Sequence, residues 1–364
     1  MRQKKNKRVE NESHSGKRIL IIRLSALGDI AMSLPVVYSM CRSYPDVEFT
    51  MLTSEAGSRL FLSPPGNLTV IVAEVHGRHA GVKGIYRLFR ELNAPRYDGV
   101  VDLHDVLRTK WLRLLFLSSG IPTAHIDKGR PEKKRLTARR HKIKKQLKTS
   151  FSRYADVFGR FGFVLPVSFI PFTKEQLPLI PDFVKYFTDN KIGIGIAPFA
   201  QHIGKIYPED KMKDVIRLLS QSGEYRIFLF GGGEKESAVL NEWACEYPDV
   251  VSLAGKKYGL ENEMALMSRL IAVISMDSAN MHLASLVGTP VISVWGATHR
   301  YAGFLGWGQK IENVVDVDLS CRPCSIYGNK SCWRKDYACL YRINSRRIID
   351  CVEKIVLHVT EKGK

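Results

Sequence analysis

The chain has 364 residues, of which 45% are hydrophobic and 10% aromatic, and its formal net charge is +19. This length exceeds one ordinary domain core and predicts two domains, and the apolar content is typical of a packed globular protein. No apolar run approaches the roughly 18 residues of a membrane-spanning helix. Residues 1–18 also lack the apolar segment of a secretory signal.

The positive charge is concentrated in two segments. Residues 1–18 hold seven Lys or Arg against two Glu, and residues 128–148 hold eleven against one Glu. Residues 1–17 are predicted to form a disordered basic tail. Clustered charge of this kind indicates an anionic partner, which could be nucleic acid, a membrane leaflet or a phosphorylated substrate. The alternative, a solvated basic surface, does not explain the clustering.

Residues 18–165 alternate strand and helix patterns and are predicted to form the first domain. Its strands are predicted at 18–23, 47–52, 68–72, 97–103 and 123–126, and its helices at 29–44, 55–61, 85–92, 106–117 and 151–161. Residues 128–148 are interpreted as a basic loop of this domain. Alternating strands and helices at this spacing are typical of a parallel sheet covered on both faces.

Residues 166–190 contain four prolines and are predicted to be a linker, because proline interrupts regular helix. The pattern then restarts in a second domain, residues 191–344. Its strands are predicted at 191–196, 225–230, 250–253, 271–275 and 291–295, and its helices at 208–220, 235–245, 261–269 and 280–287. A last helix within 345–364 could cross back to the first domain. We therefore expect two Rossmann-like α/β domains facing a central cleft, where a ligand would bind.

Polar residues follow several of the predicted strands. Asp29 lies in a glycine-containing turn after the first strand, where a carboxylate could take a proton from a bound hydroxyl or simply cap a helix. Lys205 lies in a small-residue loop of the second domain, where its ammonium could neutralise a diphosphate. A solvated surface lysine is the alternative at this position.

Asp277 and Ser278 follow another predicted strand and precede a helix. The amino end of a helix at the carboxyl edge of a sheet favours phosphate, although either residue could merely cap the helix. A turn of three glycines, Gly231 to Gly233, precedes Glu236, whose carboxylate could accept from ribose hydroxyls. This turn lacks the GxGxxG spacing, so the sequence does not predict a nicotinamide or flavin site.

Four stretches in this order resemble glycosyltransferase family 9, the ADP-heptose:lipopolysaccharide heptosyltransferases. They are GDIAMSLP, the loop ending at Lys205, the glycine turn and MDSANMHLASLVGTPVISVWGAT, and the resemblance extends from about residue 18 to residue 351. It implies a GT-B fold and an inverting transfer of heptose, or a similar sugar, from an ADP-sugar to a lipopolysaccharide core or lipid A acceptor. It also implies that no metal is required. We expect a cytoplasmic enzyme, peripheral on the inner face of the bacterial inner membrane.

The resemblance also implies roles for individual residues. Asp29 matches the proposed general base, Lys205 the lysine on the donor phosphates, and Asp277 the acid that holds sugar hydroxyls. Further donor contacts are implied for Ser278, Ala279 and His282 near the phosphates and for Glu236 at the ribose. The candidates for acceptor binding are Arg108, Lys133, Lys134 and Arg135.

One motif departs from the family pattern. The family usually has Asp-[Ser/Thr]-Gly-Leu, whereas this chain has Asp277-Ser278-Ala279-Asn280. The lost glycine could narrow the approach of backbone to phosphate, and this leaves the choice of sugar and nucleotide open. His282 taken alone could equally be a helix-packing residue.

Four of the seven cysteines cluster as C-x2-C-x7-C-x6-C. Thiols at this spacing could hold a structural zinc. Their positions are Cys321, Cys324, Cys332 and Cys339. The alternative is a set of free buried thiols with an occasional disulfide.

Two other classes of function remain open from the sequence. One is a GT-B transferase or epimerase acting on another nucleotide sugar, although an epimerase would leave the basic segment without a role. The other is a nucleic-acid-binding protein that uses residues 128–148 as a phosphate clamp. That segment has no interleaved aromatic residues to stack on bases, which favours the transferase.

Overall fold

The computed structural model describes residues 14–164 and 168–362. These residues pack as two compact units. The first comprises the described residues of 14–128 and 150–170, and the second comprises those of 129–149 and 171–362. Both units are parallel α/β structures, as the alternating pattern predicts.

The first unit is built on a five-stranded parallel sheet with the order β3-β2-β1-β4-β5. The strands are β1 (Arg18–Ile22), β2 (Glu48–Thr53), β3 (Leu68–Val72), β4 (Gly99–Asp102) and β5 (Thr123–His125). Its helices are α1 (Leu27–Ser43), α2 (Glu55–Ser58), α3 (Gly81–Asn93), α4 (Leu107–Ser118) and α6 (Ser150–Gly159). The four isoleucine and leucine residues of β1 are fully buried, because helices cover both faces of a parallel sheet.

The second unit is built on a six-stranded parallel sheet with the order β11-β10-β9-β6-β7-β8. The strands are β6 (Ile192–Ala197), β7 (Tyr225–Leu229), β8 (Val250–Ser252), β9 (Ala272–Met276), β10 (Val291–Val294) and β11 (Val314–Val315). The helices are α5 (Arg130–Leu136), α7 (Pro181–Val184), α8 (Glu209–Gln221), α9 (Glu234–Cys245), α10 (Leu260–Met267), α11 (Ala279–Leu286), α12 (Ala338–Tyr341) and α13 (Ser345–Lys362).

The basic segment differs from the sequence prediction in two ways. It contains helix α5 where a loop was predicted, and from Gly129 to Thr149 it belongs to the second unit rather than the first. The helix forms because Pro131 stands at its first turn with Glu132, and basic residues occupy its last turn. The segment is attached to the second unit by the Lys142 ammonium, which donates to the carbonyl oxygens of Cys321 at 2.6 Å and Pro323 at 2.7 Å.

The predicted linker is also more structured than expected. Leu165 to Val167 lie outside the described residues, but Phe172, Leu177 and Phe183 are buried. The amide of Phe172 donates to the Leu286 carbonyl at 2.9 Å. These apolar side chains fold residues 171–190 onto the second unit, and the proline pattern alone did not indicate this.

The two chain ends also pack more closely than the sequence suggested. Residues 1–13 of the predicted tail lie outside the described residues, whereas His14 is buried, with its ring 4.4 Å from that of Phe163. Helix α13 places Ile348 and Val352 in the core of the second unit. The last helix therefore belongs to the second unit, where the sequence had left open a return to the first.

A buried arginine organises the loop that follows β10. Arg322 is 2% exposed, and its guanidinium donates to the carbonyl oxygens of Trp295 at 3.0 Å, Gly296 at 2.6 Å and Thr298 at 3.1 Å. It also lies 3.2 Å from a carboxylate oxygen of Asp316. Backbone carbonyls that no strand satisfies would be costly to bury. The guanidinium thus replaces missing strand partners.

We predict that Arg322→Met destabilises the protein by about 3–5 kcal/mol, because it leaves several buried carbonyl oxygens without their donor and removes the ion pair with the partly buried Asp316. Urea unfolding monitored by circular dichroism measures this loss. The matched control is Arg334→Met, which removes an exposed pair with Asp336 and should cost at most about 1 kcal/mol. Equal losses in the two variants would contradict the organising role of Arg322.

Candidate active site

The polar residues singled out in the second domain meet because of the strand order of the second sheet. Strand β6 pairs with β9, with Ala197 opposite Ser275, and the chain order reverses between these two strands. Loops that follow such a pair diverge to opposite sides and leave a crevice at the carboxyl edge. The loop after β6 carries Lys205, and the turn after β9 carries Asp277.

Lys205 and Asp277 form a largely buried ion pair. The Lys205 Nζ lies 2.9 Å from Oδ2 of Asp277 and donates to its backbone carbonyl at 3.0 Å. The side chains are 15% and 5% exposed. A lysine ammonium has three donors, and one of them is used by the Asp277 carbonyl, so donor capacity remains for a ligand in the crevice.

Small residues make room for the Lys205 side chain. Gly328 has φ of +77°, and a Cβ atom there would lie 2.6 Å from Cγ of Lys205. Gly204 accepts from the amide of Ala297 at 2.8 Å through its carbonyl. The lysine is therefore held between the loop after β10 and the turn at Gly328. Sequence reasoning missed Gly328, because a glycine in an irregular segment has no distinctive pattern around it.

Helix α11 begins next to this pair. Ser278 precedes its first residue without capping it through its side chain, and the Ser278 hydroxyl lies 3.3 Å from that of Ser275. Ala279 opens the helix, and His282 is buried in it. The first backbone N–H groups of a helix carry partial positive charge, so this end favours an anion.

The glycine turn after β7 is stabilised by the acid predicted to bind ribose. Oε2 of Glu236 accepts from the amide of Gly232 at 2.9 Å. A Cβ atom at Gly231 would lie 2.6 Å from a terminal methyl group of Leu240, so a larger residue there would require the Leu240 side chain to shift. In the structure Glu236 therefore has a local contact in the turn.

In the first unit, the strand order reverses between β1 and β4. Asp29 lies in the first turn of α1 after β1, and Ala26 rather than Asp29 is the residue that precedes the helix. The Asp29 carboxylate pairs with the guanidinium of Arg23, whose side chain is 7% exposed. Asp29 is therefore a partly exposed carboxylate oriented by a buried arginine, and the helix-cap alternative does not describe it.

The loop after β4 contributes His104, which sequence reasoning missed. Its Nδ1 accepts from the amide of Leu24 at 3.4 Å, and its Nε2 lies 3.4 Å from the hydroxyl of Ser25. Burial, together with the charges of Arg23 and Lys128, lowers the pKa of His104 to about 3. The imidazole is therefore neutral next to the turn that carries Asp29.

Asp102 shapes the same loop from the end of β4. It is fully buried, and its Oδ1 accepts from the amides of His104 at 2.8 Å and Asp105 at 2.9 Å. The Arg113 Nε lies 3.4 Å from Oδ2 of Asp102. The signal for this cluster was present in the sequence as Asp102-Leu103-His104 directly after an apolar strand.

The basic candidates for acceptor binding are divided between the units. Arg108, in the first unit, donates to the carbonyl of Val75 at 3.3 Å. Lys133 is 9% exposed, and its ammonium lies 4.9 Å from the ring centroid of Phe304 within the second unit. Lys134 and Arg135 are exposed on α5. The four residues do not form one patch within a single unit.

The four clustered cysteines line one small cavity, and no disulfide joins them. Within residues 14–164 and 168–362, no group of three or more His, Cys, Asp or Glu is arranged to hold a metal ion. Burial raises the pKa of Cys324 and raises that of Cys339 to about 12. As placed here, the four cysteines are not bridged, and each is partly or wholly buried.

The family model for glycosyltransferase family 9 (heptosyltransferase) matches residues 85–332, which is more than half of the chain. The chain belongs to glycosyltransferase family 9. It is therefore a glycosyltransferase, and the nucleic-acid-binding alternative loses its basis.

Relatives of this family 9 glycosyltransferase match most of its length. Lipopolysaccharide heptosyltransferase 3 of Escherichia coli K12 is 27% identical over 306 residues, which cover 79% of this chain and 84% of the relative. A family 9 glycosyltransferase structure from Veillonella parvula superposes with a TM-score of 0.73 at 19% identity, covering 94% of this chain and 98% of that one. E. coli heptosyltransferase WaaC with ADP superposes with a TM-score of 0.65 at 20% identity, covering 93% and 99%.

These likenesses confirm the predicted fold class, which is GT-B with two Rossmann-like α/β domains. In the described part of the family 9 chain, no helix is both long and apolar enough to cross a bilayer. Of the predicted donor residues, the structure brings together Lys205, Asp277 and Ser278. Asp29 lies in the first unit with two residues that were not predicted, Arg23 and His104.

The low pKa of His104 predicts a pH dependence of stability. The folded imidazole stays neutral down to about pH 3, whereas an unfolded histidine takes up a proton below about pH 6.5. Unfolding therefore becomes easier as the pH falls through this window, by at most about 1.4 kcal/mol per pH unit. His104→Gln should flatten the free energy of unfolding between pH 6.5 and pH 4, as measured by urea titration at each pH.

The matched control is His358→Gln on the exposed side of α13, which should leave the pH dependence of wild type. If the free energy of unfolding of His104→Gln falls with decreasing pH as steeply as that of wild type, another group is responsible for the acid sensitivity.

Proposed function

We propose that this family 9 enzyme transfers heptose, with inversion, from ADP-heptose to a lipopolysaccharide core or lipid A acceptor. The match to the heptosyltransferase family over residues 85–332 carries the proposal. Further support comes from relatives whose names are lipopolysaccharide heptosyltransferases, such as that of E. coli K12.

In this proposal Lys205 and Asp277 hold the donor. The Lys205 ammonium donates to the carbonyl of Asp277 and lies 2.9 Å from its carboxylate, and a remaining donor would bind the diphosphate. Asp277 would accept from the sugar hydroxyls, with Ser278, Ala279 and His282 of α11 near the phosphates. Glu236 would accept a hydrogen bond from a ribose hydroxyl once its hydrogen bond with the amide of Gly232 is broken. The pairing supports these roles because it keeps the lysine charge oriented in the crevice.

The reaction would be a single displacement. The acceptor hydroxyl oxygen forms a bond to the anomeric carbon of the donor, and the bond from that carbon to the β-phosphate oxygen breaks. ADP leaves with the electron pair, and the hydroxyl proton passes to the carboxylate of Asp29. Arg23 would fix one carboxylate oxygen of Asp29 and leave the other for the hydroxyl. Asp29 belongs to the first unit and Lys205 to the second.

We propose that the leaving diphosphate is neutralised by Lys205 and the amino end of α11 rather than by a metal. The cysteine cluster would then have no part in the reaction. The prediction of a structural zinc is tested by metal analysis of the purified chain. A content below about one zinc per several chains rejects it, because a structural site is filled nearly stoichiometrically.

The charge distribution suggests where the acceptor approaches. A membrane-anchored, phosphorylated acceptor would be attracted by the basic segment 128–148. The same charge would hold the enzyme on an anionic leaflet, at about 1 kcal/mol per basic residue near the surface. We therefore propose a peripheral enzyme of the cytoplasmic face of the inner membrane. Arg108, Lys133, Lys134 and Arg135 remain candidates for acceptor contacts.

One prediction of this proposal concerns Asp29 as the general base. Asp29→Asn should lower kcat by about 10²–10⁴-fold while the KM for ADP-heptose changes little, because the amide cannot take a proton. The kinetic constants are measured from the rate of nucleoside diphosphate release during transfer to a truncated core acceptor, with a panel of ADP- and UDP-sugars as donors. NMR of the anomeric proton in donor and product reports inversion.

The control is Asp46→Asn, the same isosteric change at an exposed residue of the first unit. It should behave as wild type. If Asp29→Asn retains most of the turnover, Asp29 is not the base. A UDP-sugar used in preference to ADP-heptose would overturn the donor assignment.

The second prediction concerns the position of Lys205. Gly328→Ala places a methyl group against the Lys205 side chain and should raise the dissociation constant for ADP by at least about tenfold, the equivalent of one charge-assisted contact. Gly308→Ala is the matched control. It has a similar φ of +67°, but nothing lies within 4 Å of the added carbon, so it isolates the backbone strain. Equal ADP affinity in the two variants would count against the phosphate role of Lys205.

A further inference from the structure

A cavity of about 490 Å³ lies in the second unit, between the basic segment and the cysteine-containing segment. Its walls include Arg139, Arg140 and Lys142 from the first segment and Lys330 and Trp333 from the second. None of the residues that line it is acidic. A volume of this size is typical of a site for a small ligand rather than of an extended groove.

The basic residues of this cationic cavity are not paired with carboxylates in the described part of the chain. Among the residues that the structure describes, no carboxylate oxygen lies within 4.0 Å of a side-chain nitrogen of Arg139, Arg140, Lys142 or Lys330. Lys142 is fixed by the carbonyl oxygens of Cys321 and Pro323, and burial lowers its pKa. Four basic residues that line one cavity without a carboxylate nearby favour an anionic ligand.

An aromatic ring stands at the edge of the same cavity. Trp333 is 53% exposed, and the guanidinium of Arg139 lies 5.5 Å from its ring centroid. An exposed indole next to cations offers an apolar face for the C–H side of a sugar ring and charges for the acidic group of that sugar. A nucleic-acid strand would instead need a groove with several stacking residues.

The cavity wall is continuous with the loop that holds Lys205. The amide of Cys324 donates to the carbonyl of Ala297 at 3.1 Å, and Gly328, in the same segment as Lys330, packs against Lys205. A ligand in the cavity would therefore bind next to the structural support of the donor site.

We propose that this cationic cavity is a subsite for a negatively charged sugar, bearing a phosphate or carboxylate group, of the acceptor. The proposal rests on the proposed function only in naming the acceptor as the source of that sugar. Arg139, Arg140, Lys142 and Lys330 bind the acidic group, and Trp333 stacks on the ring. None of the four acceptor candidates from the sequence lines this cavity.

Direct binding tests the subsite without the reaction. Isothermal titration of the full chain at about 50 mM salt, where screening is weak, compares glucose 6-phosphate, glucuronate, glucose and inorganic phosphate. We expect the two acidic sugars to bind and glucose not to bind. Arg139→Ala/Arg140→Ala should weaken their binding at least about tenfold, since two charge-assisted contacts are lost.

The matched control is Arg130→Ala/Arg342→Ala, which removes the same charge at exposed positions of the second unit outside the cavity. It should change binding by less than about twofold, because exposed charges act weakly at a distance. Trp333→Ala should weaken the binding of glucose 6-phosphate but not the binding of inorganic phosphate. If inorganic phosphate binds as tightly as the sugar phosphate and Trp333→Ala has no effect, the cavity does not recognise a sugar. Equal effects of the two double variants on the binding of the acidic sugars would likewise reject the proposed subsite.

The kinetic test separates this proposal from the proposed function. With a truncated core acceptor, Arg139→Ala/Arg140→Ala should raise the KM for the acceptor at least about tenfold. The KM for ADP-heptose should change less than about twofold, because only binding of the acceptor is weakened. An unchanged acceptor KM rejects the acceptor subsite even where transfer is confirmed. Absence of transfer in wild type rejects the proposed function, and the titrations then decide the cavity independently. Thermal unfolding midpoints equal to wild type exclude misfolding of the variants.

Discussion

The arrangement of the candidate site depends on one constraint, the reversal of chain order within each parallel sheet. Parallel strands all end at the same edge, and the loops after β6 and β9 leave from neighbouring strands in opposite directions. Lys205 and Asp277 are 72 residues apart in sequence, yet this geometry brings their charged atoms to 2.9 Å. The first sheet repeats the arrangement between β1 and β4, which brings His104 next to the turn that carries Asp29.

Several buried charged groups of this protein have a charged partner. Asp277 is paired with Lys205, Arg23 with Asp29, and Arg322 with Asp316 and four backbone carbonyls. An unpaired charge in such surroundings would be strongly unfavourable. The same pairing fixes the orientation of each group. Electrostatic preorganisation of this kind needs no rearrangement when charge develops on a leaving group.

The basic segment changes the electrostatic description of the two units. Its charge belongs to the second unit, which also carries the ion pair of Lys205 and Asp277. If the acceptor is anionic, the second unit would then attract both substrates, and the first unit would mainly supply the base. This division follows from packing, since Lys142 is held by carbonyl oxygens 179 and 181 residues further along the chain.

Much of this protein was determined by local sequence. The β-branched runs and helical periodicities predicted two parallel α/β domains, because such patterns depend only on neighbouring residues. The acids and the lysine that follow the strands predicted a ligand site at the carboxyl edge of the sheet. Tertiary structure alone decided that 129–149 packs on the second unit, that Gly328 makes room for Lys205, and that His104 loses its proton affinity. Each of these depends on contacts between residues distant in sequence, and on burial that periodicity does not report.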